Sequence, residues 1–119
     1  MSGQPADFLN GKTEYTLGLF RFFIAQINDI GIVQLHAKKS MVALHSTLDF
    51  AYITQFGKNF IHIVLPFNKP FDDNLCFVKI AKVPGTSQYN HHLRIYAKED
   101  LNEEVMHFLK LAFAGSFHS

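Results

Sequence analysis

The residues with the most chemistry to offer are histidines that fall in strand-like runs. His45, His62 and His92 lie in alternating or β-branched stretches that also hold Tyr52, Arg94 and Tyr96. If the aliphatic sides of these strands pack inward, the opposite phase collects these six side chains on one sheet face, with Lys79 and Phe50 nearby. Arg supplies a guanidinium fork, imidazole donates or accepts, and the phenols stack and hydrogen-bond. Such a face suits a small anionic or aromatic ligand, and the expected binding residues are Tyr52, His62, His92, Arg94 and Tyr96. Two other readings of the same pattern stand beside it. The open face of an antiparallel sheet is ordinarily polar and wet, and an aromatic surface also serves for homodimer formation.

Other chemistry is weaker. A metal-dependent enzyme using His45, His62 and His92 is a remote alternative, because three imidazoles could converge across neighbouring strands. The chain has no HExxH and no His-x-His, and the adjacent His91 and His92 point to opposite faces of a strand. Glu103 and His107 are four apart on a helical stretch, a spacing that also serves an ordinary solvated helix face. Cys76 lies between Leu75 and Phe77 and reads as a small buried hydrophobe rather than a nucleophile. Asp72-Asp73 sits in a Pro-flanked turn; Gly-x-Ser-x-Gly is absent, and Gly85 stands alone where a phosphate loop would need several glycines. No catalytic residue, metal or cofactor is assigned, and the reading leans away from an enzyme.

The elements that must position these groups follow from periodicity. Phe50 to Phe67 reads as a complete β-hairpin around Gly57-Lys58-Asn59, whose Gly and Asn tolerate the positive φ of a tight turn. Ala51 and Ile53 share one face with Ile61, Ile63 and Leu65; Phe50, Tyr52, His62 and Val64 take the other. Ahead of the hairpin, Thr13 reads as the N-cap of a helix with Leu17, Phe20, Ile24 and Ile27 in its stripe, widened by Leu19, Phe22 and Phe23, and Gly31 as its C′ residue. Short strands are expected at 32–37 and Met41 to Ser46, then at Cys76 to Val83 and His91 to Ala97. Asp100 with Glu103 resembles a capping box opening a second helix, with Leu101, Val105, Phe108, Leu109 and Ala112 buried and Gly115 as the stop. The expected fold is α+β: an N-terminal helix, an antiparallel meander of about five strands, and a C-terminal helix, with both helices on one face of the sheet.

Composition bounds the rest. A chain of 119 residues is one domain, 1–119, read as an arm over 1–12 and a folded core over 13–115. Thirteen Phe and no Trp imply a core built largely from rings without polar handles. Eleven Lys and Arg against ten Asp and Glu leave a net charge of +1 and no basic stripe, which argues against nucleic acid as a partner. Seven His add positive charge below about pH 6. A lone cysteine excludes an internal disulfide and fits a reducing, cytoplasmic compartment. Nothing approaches the ~20 apolar residues of a membrane span, and no export signal opens the chain, so no membrane partner is expected.

Several runs, taken together, resemble a bacterial domain of unknown function whose members sometimes carry the label "predicted transport protein". They are Lys39-Ser40-Met41-Val42-Ala43-Leu44, Asp49-Phe50-Ala51-Tyr52-Ile53, Phe60 to Phe67, His91-His92-Leu93-Arg94-Ile95 and Glu99-Asp100-Leu101-Asn102, with a closing helix containing Ala112. The resemblance covers about 14–114 and implies the fold rather than a mechanism. No catalytic residue is carried by it, and the transport label has no membrane segment to support it. The expectation is a cytoplasmic, non-enzymatic binding module that uses its aromatic and histidine face.

Overall fold

The computed structural model describes residues 5–115, with side chains from Asp7 onward. β-branched and aromatic residues at period two build six strands: β1 (Gln34–Ala37), β2 (Val42–His45), β3 (Asp49–Phe56), β4 (Ile61–Phe67), β5 (Lys79–Lys82) and β6 (Tyr89–Ile95). They form one antiparallel sheet in the order β1-β2-β3-β4-β6-β5. The sixth strand is β1, short but fully paired with β2. The order also departs from a simple meander, because β6 sits beside β4 and β5 lies outside it at the edge. The segment 68–78 makes this possible. It crosses the end of the core and lays Phe71 and Phe77 against Phe108 before β5 begins. Cys76, expected in the strand, is in this crossing segment instead.

Helices α1 (Glu14–Ile30) and α2 (Glu103–Phe113) pack on one face of the sheet. Leu19, Phe20, Phe23 and Ile27 of α1 join Val105, Phe108, Leu109 and Ala112 of α2 over Val42, Leu44, Ile53, Ile63, Leu65, Leu93 and Ile95. The α1 stripe is therefore rotated from the expected one, with Leu17 and Ile24 only half-buried and Thr16 fully buried. Ahead of α1, a 3-10 turn over Pro5–Leu9 packs Phe8 and Leu9 on the core; residues 1–4 of the expected arm lie outside the described residues.

Plain alternation fails at two places in β3. Leu44 pairs with Ala51 but His45 with Asp49, and Ile53 pairs with Ile63 but Gln55 with His62. Each step skips one residue of β3, Phe50 and then Thr54, which is a β-bulge. The first bulge sends Phe50 into the core beside Phe113 rather than onto the outer face as expected. The second resets the phase so that Phe56 also turns inward, edge-on to Phe20. Both bulges thus bury a phenyl ring that strict alternation would leave on the open face.

Three local expectations are corrected. Gly31 is extended at φ 175 rather than left-handed; its need for hydrogen comes from the Phe113 ring, which an added Cβ would meet at 2.4 Å. In the β3–β4 turn neither Gly57 nor Asn59 has positive φ, and Gly57 instead accommodates the Phe60 ring at 2.2 Å from where a Cβ would lie. The cap of α2 is Asn102, whose side chain accepts from the Val105 N–H at 3.0 Å. Asp100 closes the preceding 3-10 turn by accepting from the Tyr96 and Ala97 N–H groups at 2.8 and 3.0 Å. Gly115, at φ 73, does stop the helix as expected.

Thr13 caps α1 as expected, accepting from the Thr16 N–H at 3.1 Å, and its hydroxyl donates to the Lys58 carbonyl at 2.6 Å. The Thr16 hydroxyl donates to the Gly57 carbonyl at 2.6 Å, so the start of α1 holds the hairpin turn. Thr16→Val is expected to destabilise the fold by about 1–3 kcal/mol, because it leaves a carbonyl without its donor. Thr16→Ser keeps the hydroxyl and should lose about 1 kcal/mol or less from the missing methyl. Urea unfolding of the two variants checks this; equal losses would assign the effect to packing.

Candidate functional site

On the face away from the helices, one row of paired residues crosses the whole sheet: His36, Ala43, Tyr52, Val64, His92 and Lys79. Ala43 and Val64 are buried by their neighbours and make an apolar floor between polar groups. Over Val64 lies a shallow depression of about 340 Å³, lined also by Met41, Tyr52, Thr54, Gln88, Asn90 and His92. Burial, and then the negative charge of Asp49, push the Tyr52 phenol above its usual pKa, so the hydroxyl stays protonated at neutral pH.

Beside the row, His62 pairs with Arg94 across β4 and β6. Arg94 Nε donates to His62 Nδ1 at 2.9 Å, and His62 Nε2 lies 2.9 Å from His92 Nδ1. Guanidinium only donates, so His62 Nδ1 must be a lone pair and the His62 proton must sit on Nε2. That proton is then given to His92 Nδ1, which leaves the His92 proton on Nε2. A single direction of donation therefore runs from Arg94 through His62 to His92, with both imidazoles neutral. Burial lowers the pKa of both; a proton added to His62 would further be repelled by His92, Arg94 and Lys79, and one added to His92 by Lys79 and His91. Arg94 is held from other sides too: its guanidinium lies over the Phe60 ring at 4.3 Å, and Nη1 donates to the Tyr96 hydroxyl at 3.4 Å. Its Nε, its Nη1 and the face of its guanidinium are thus all engaged within the domain.

Tyr52, His62, His92, Arg94 and Tyr96 thus share one face, four of them joined by hydrogen bonds. His45 does not join them. It stacks on His36, centroids 4.6 Å apart and rings 22° from parallel, and its Nδ1 lies 2.8 Å from Asp49 Oδ1. Three imidazoles converging from His45, His62 and His92 are therefore not found. Phe50 is core and Lys79 is in the row. Glu103 and His107 are exposed on α2, and Asp72-Asp73 occupies a turn. Cys76 is half-buried, and burial, with the Glu104 carboxylate adding to it, raises its thiol to about 11, which favours the less nucleophilic thiol over the thiolate at neutral pH. Sequence reasoning passed over Phe60, Asn90, His36 and Asp49. Of these, His36 could have been found from the short β1–β2 connection, since paired positions in a hairpin keep a constant sum and bring it diagonal to His45.

The family model described as Domain of unknown function (DUF5655) matches residues 6–116. The chain belongs to this family. No curated protein and no solved structure matches it. The family description assigns no activity and carries neither the bacterial nor the transport element of the resemblance. Among the described residues, no helix of the domain is long and apolar enough to cross a membrane.

Among the described residues, one histidine, His91, is completely buried. His91 accepts the Phe71 N–H on Nε2 at 3.0 Å and its Nδ1 lies 3.0 Å from the Tyr89 carbonyl, so the neutral ring holds its proton on Nδ1. Phe67, Phe71 and Phe77 surround it at 5.1, 5.5 and 4.9 Å. Burial lowers its pKa against the hydrogen bonds to Tyr89 and Leu65, which favour the charged form. Three imidazoles, those of His62, His91 and His92, therefore titrate lower in the folded domain than in the unfolded chain. Between the folded values and about 6.5 the unfolded chain binds more protons, so stability is complete above about pH 6.5 and is lost as pH falls through the folded values. Thermal unfolding should show a melting temperature that declines below about pH 6.5, and NMR titration should place all three midpoints under that value. A higher midpoint for His62 or His92 would mean that the Arg94 chain does not hold its neutral tautomers.

Proposed function

We propose that the domain binds a small planar anion, an aromatic carboxylate or a compound of similar shape, in the depression bounded by Tyr52 and His92. The observation that carries this reading is the one-way hydrogen-bond chain Arg94 to His62 to His92. It commits His92 Nε2 to being a donor, at the rim of an apolar floor formed by Val64 and Met41. A ring seated on that floor beside the Tyr52 phenol presents its carboxylate to His92 Nε2–H, with the Lys79 ammonium on the neighbouring strand adding attraction. Asn90 and Gln88 supply further amide donors and acceptors for ring substituents. The volume lies at the small end of ordinary ligand sites. The role of Arg94 and His62 is to hold the tautomer of His92, and that of Tyr96 is to hold Arg94.

A homodimer through this face is the weaker use of the same residues. The large apolar side chains most exposed among the described residues, Ile32 at 89%, Leu75 at 95% and Val78 at 63%, belong to connecting segments and not to the row. The apolar residues of the row, Ala43 and Val64, are already buried within one copy, which leaves little for a second copy to cover.

Titration of labelled protein with benzoate, salicylate and nicotinate should move the amide signals of Tyr52, Val64, Asn90 and His92. His92→Ala should weaken the best of these by about 10-fold to 100-fold, the worth of one hydrogen bond to a charged group. Arg94→Lys should weaken it less while releasing the His62 tautomer. Absence of shifts at millimolar probe, or binding indifferent to His92→Ala, would remove the reading. A concentration-dependent dimer in light scattering with this face protected would replace it with the homodimer.

A further inference from the structure

At the other end of the same sheet face, a second cluster has a different chemistry. We infer that His36, His45 and Asp49 form a binding site for one divalent transition-metal ion of the zinc type, separate from the Tyr52 and His92 depression. Each of the three residues offers one nitrogen or oxygen, and these atoms all lie within 4.8 Å of one another, the one such group among the described residues. An ion bound tetrahedrally at zinc's usual bond lengths needs its ligand atoms about 3.4 Å apart, so binding draws the three groups together from their present spread.

The fold places these groups with some care. His36 is on β1 opposite Ala43, and His45 is on β2 opposite Gln34, so the two histidines are diagonal neighbours across the first strand pair. Their rings face each other at 4.6 Å. The bulge after Leu44 brings Asp49, at the start of β3, level with His45. The side chains of His45 and Asp49 are 29% and 22% exposed, which shelters the cluster while leaving a path for an ion. The Gln34 amide oxygen lies 3.2 Å from His36 Nε2 and accepts from it, so the lone pair of neutral His36 is on Nδ1, available to a metal. This is the arrangement of a ligating histidine oriented by an outer hydrogen bond.

The ion-free cluster is held by two contacts that a metal would replace. His45 Nδ1 donates to Asp49 Oδ1 at 2.8 Å, and the Lys38 ammonium pairs with Asp49 Oδ2 at 3.2 Å. On binding, the carboxylate exchanges Lys38 for the ion, and the His45 proton moves from Nδ1 to Nε2 if Nδ1 is the ligating atom. Two imidazoles with one carboxylate select zinc, nickel, cobalt or copper over magnesium and calcium, which prefer oxygen donors throughout. Three protein ligands leave a fourth position to water. The ion would also tie the edge strand β1 to β2 and β3.

Calorimetric titration of the full chain with zinc chloride, in chelator-free buffer, should give one ion per chain. The melting temperature should rise with zinc concentration, and EDTA should reverse the rise. Cobalt chloride should produce the visible absorption of a four-coordinate nitrogen and oxygen site. His36→Ala and Asp49→Asn should each weaken zinc more than about 100-fold, beyond the usual effect of losing only an outer-shell partner. His92→Ala and Cys76→Ser should leave zinc affinity unchanged. If His36→Ala does not fold, His36→Asn tests the same ligand with most of the side-chain volume kept. Zinc binding unaltered by loss of His36, no response at tens of micromolar zinc, or an equal response to magnesium chloride would each overturn the site.

Discussion

The open face of this sheet depends on the two bulges in β3. A strand paired without them would keep strict parity from Asp49 to Phe56, and parity places Phe50 and Phe56 on the same side as Tyr52. Two phenyl rings would then sit on or beside the polar row. Burying a Phe side chain is worth roughly 1.5–3 kcal/mol relative to leaving it exposed, so the skipped residues Phe50 and Thr54 have a clear energetic reason. The consequence reaches beyond stability. With the rings turned inward, the outer row keeps a small apolar floor at Val64 between Tyr52 and His92. The first bulge also sets Asp49 beside His45.

This explains which parts of the fold and of the site were legible in the sequence. Helix α1 was readable because Thr13 and the stripe that follows are local signals, and so was the class of the sheet, because period two runs along β2 and β6 while β-branched and aromatic residues fill β3 and β4. The shared face of Tyr52, His62, His92, Arg94 and Tyr96 was also readable, since these positions lie between the bulges or on strands without any. Phe50 was misplaced because a bulge is a decision of the paired strands and leaves no mark in one strand's alternation. The swap of β5 and β6 was equally hidden. It rests on Phe71 and Phe77 finding Phe108, a contact between segments far apart in the chain. Gly31 and Gly57 illustrate the same limit at one residue: each looks like a turn glycine, and each is small because a distant or neighbouring ring lies where its Cβ would be.

The histidines divide by environment rather than by position in sequence. His91 and His92 are adjacent, yet one is a neutral acceptor sealed among phenyl rings and the other is the last member of a chain driven by Arg94. His91 serves the fold, because its Nε2 receives the Phe71 N–H and fastens the crossing segment over the core. Its neutral state follows from desolvation, since a charged ring there would lose both water and that donor. His62 and His92 are neutral for a further reason, the one-way demand of a guanidinium that can only donate. In the site proposed for an anion, the positive charges near the neutral imidazoles are those of Arg94 and Lys79.

Distance then decides how the two ends of the face relate. Strands lie about 4.8 Å apart, and the row runs from His36 on β1 to His92 on β6 across four such steps, or roughly 19 Å. No single ion or small ring spans that gap, and His45 on β2 is kept from His62 on β4 by the intervening β3. The same spacing excludes one metal centre shared by His45, His62 and His92, however the side chains turn. The sheet therefore carries two separate groups of imidazoles, one beside a carboxylate and one beside a guanidinium. Their partners are opposite in charge, which is the basis of the two proposals, a cation at the carboxylate end and an anion at the guanidinium end. His36 and His92 have no shared partner at that separation, so substitutions at these two should act almost independently; Asp49 and Tyr52 are the exception, because the Asp49 charge reaches the phenol.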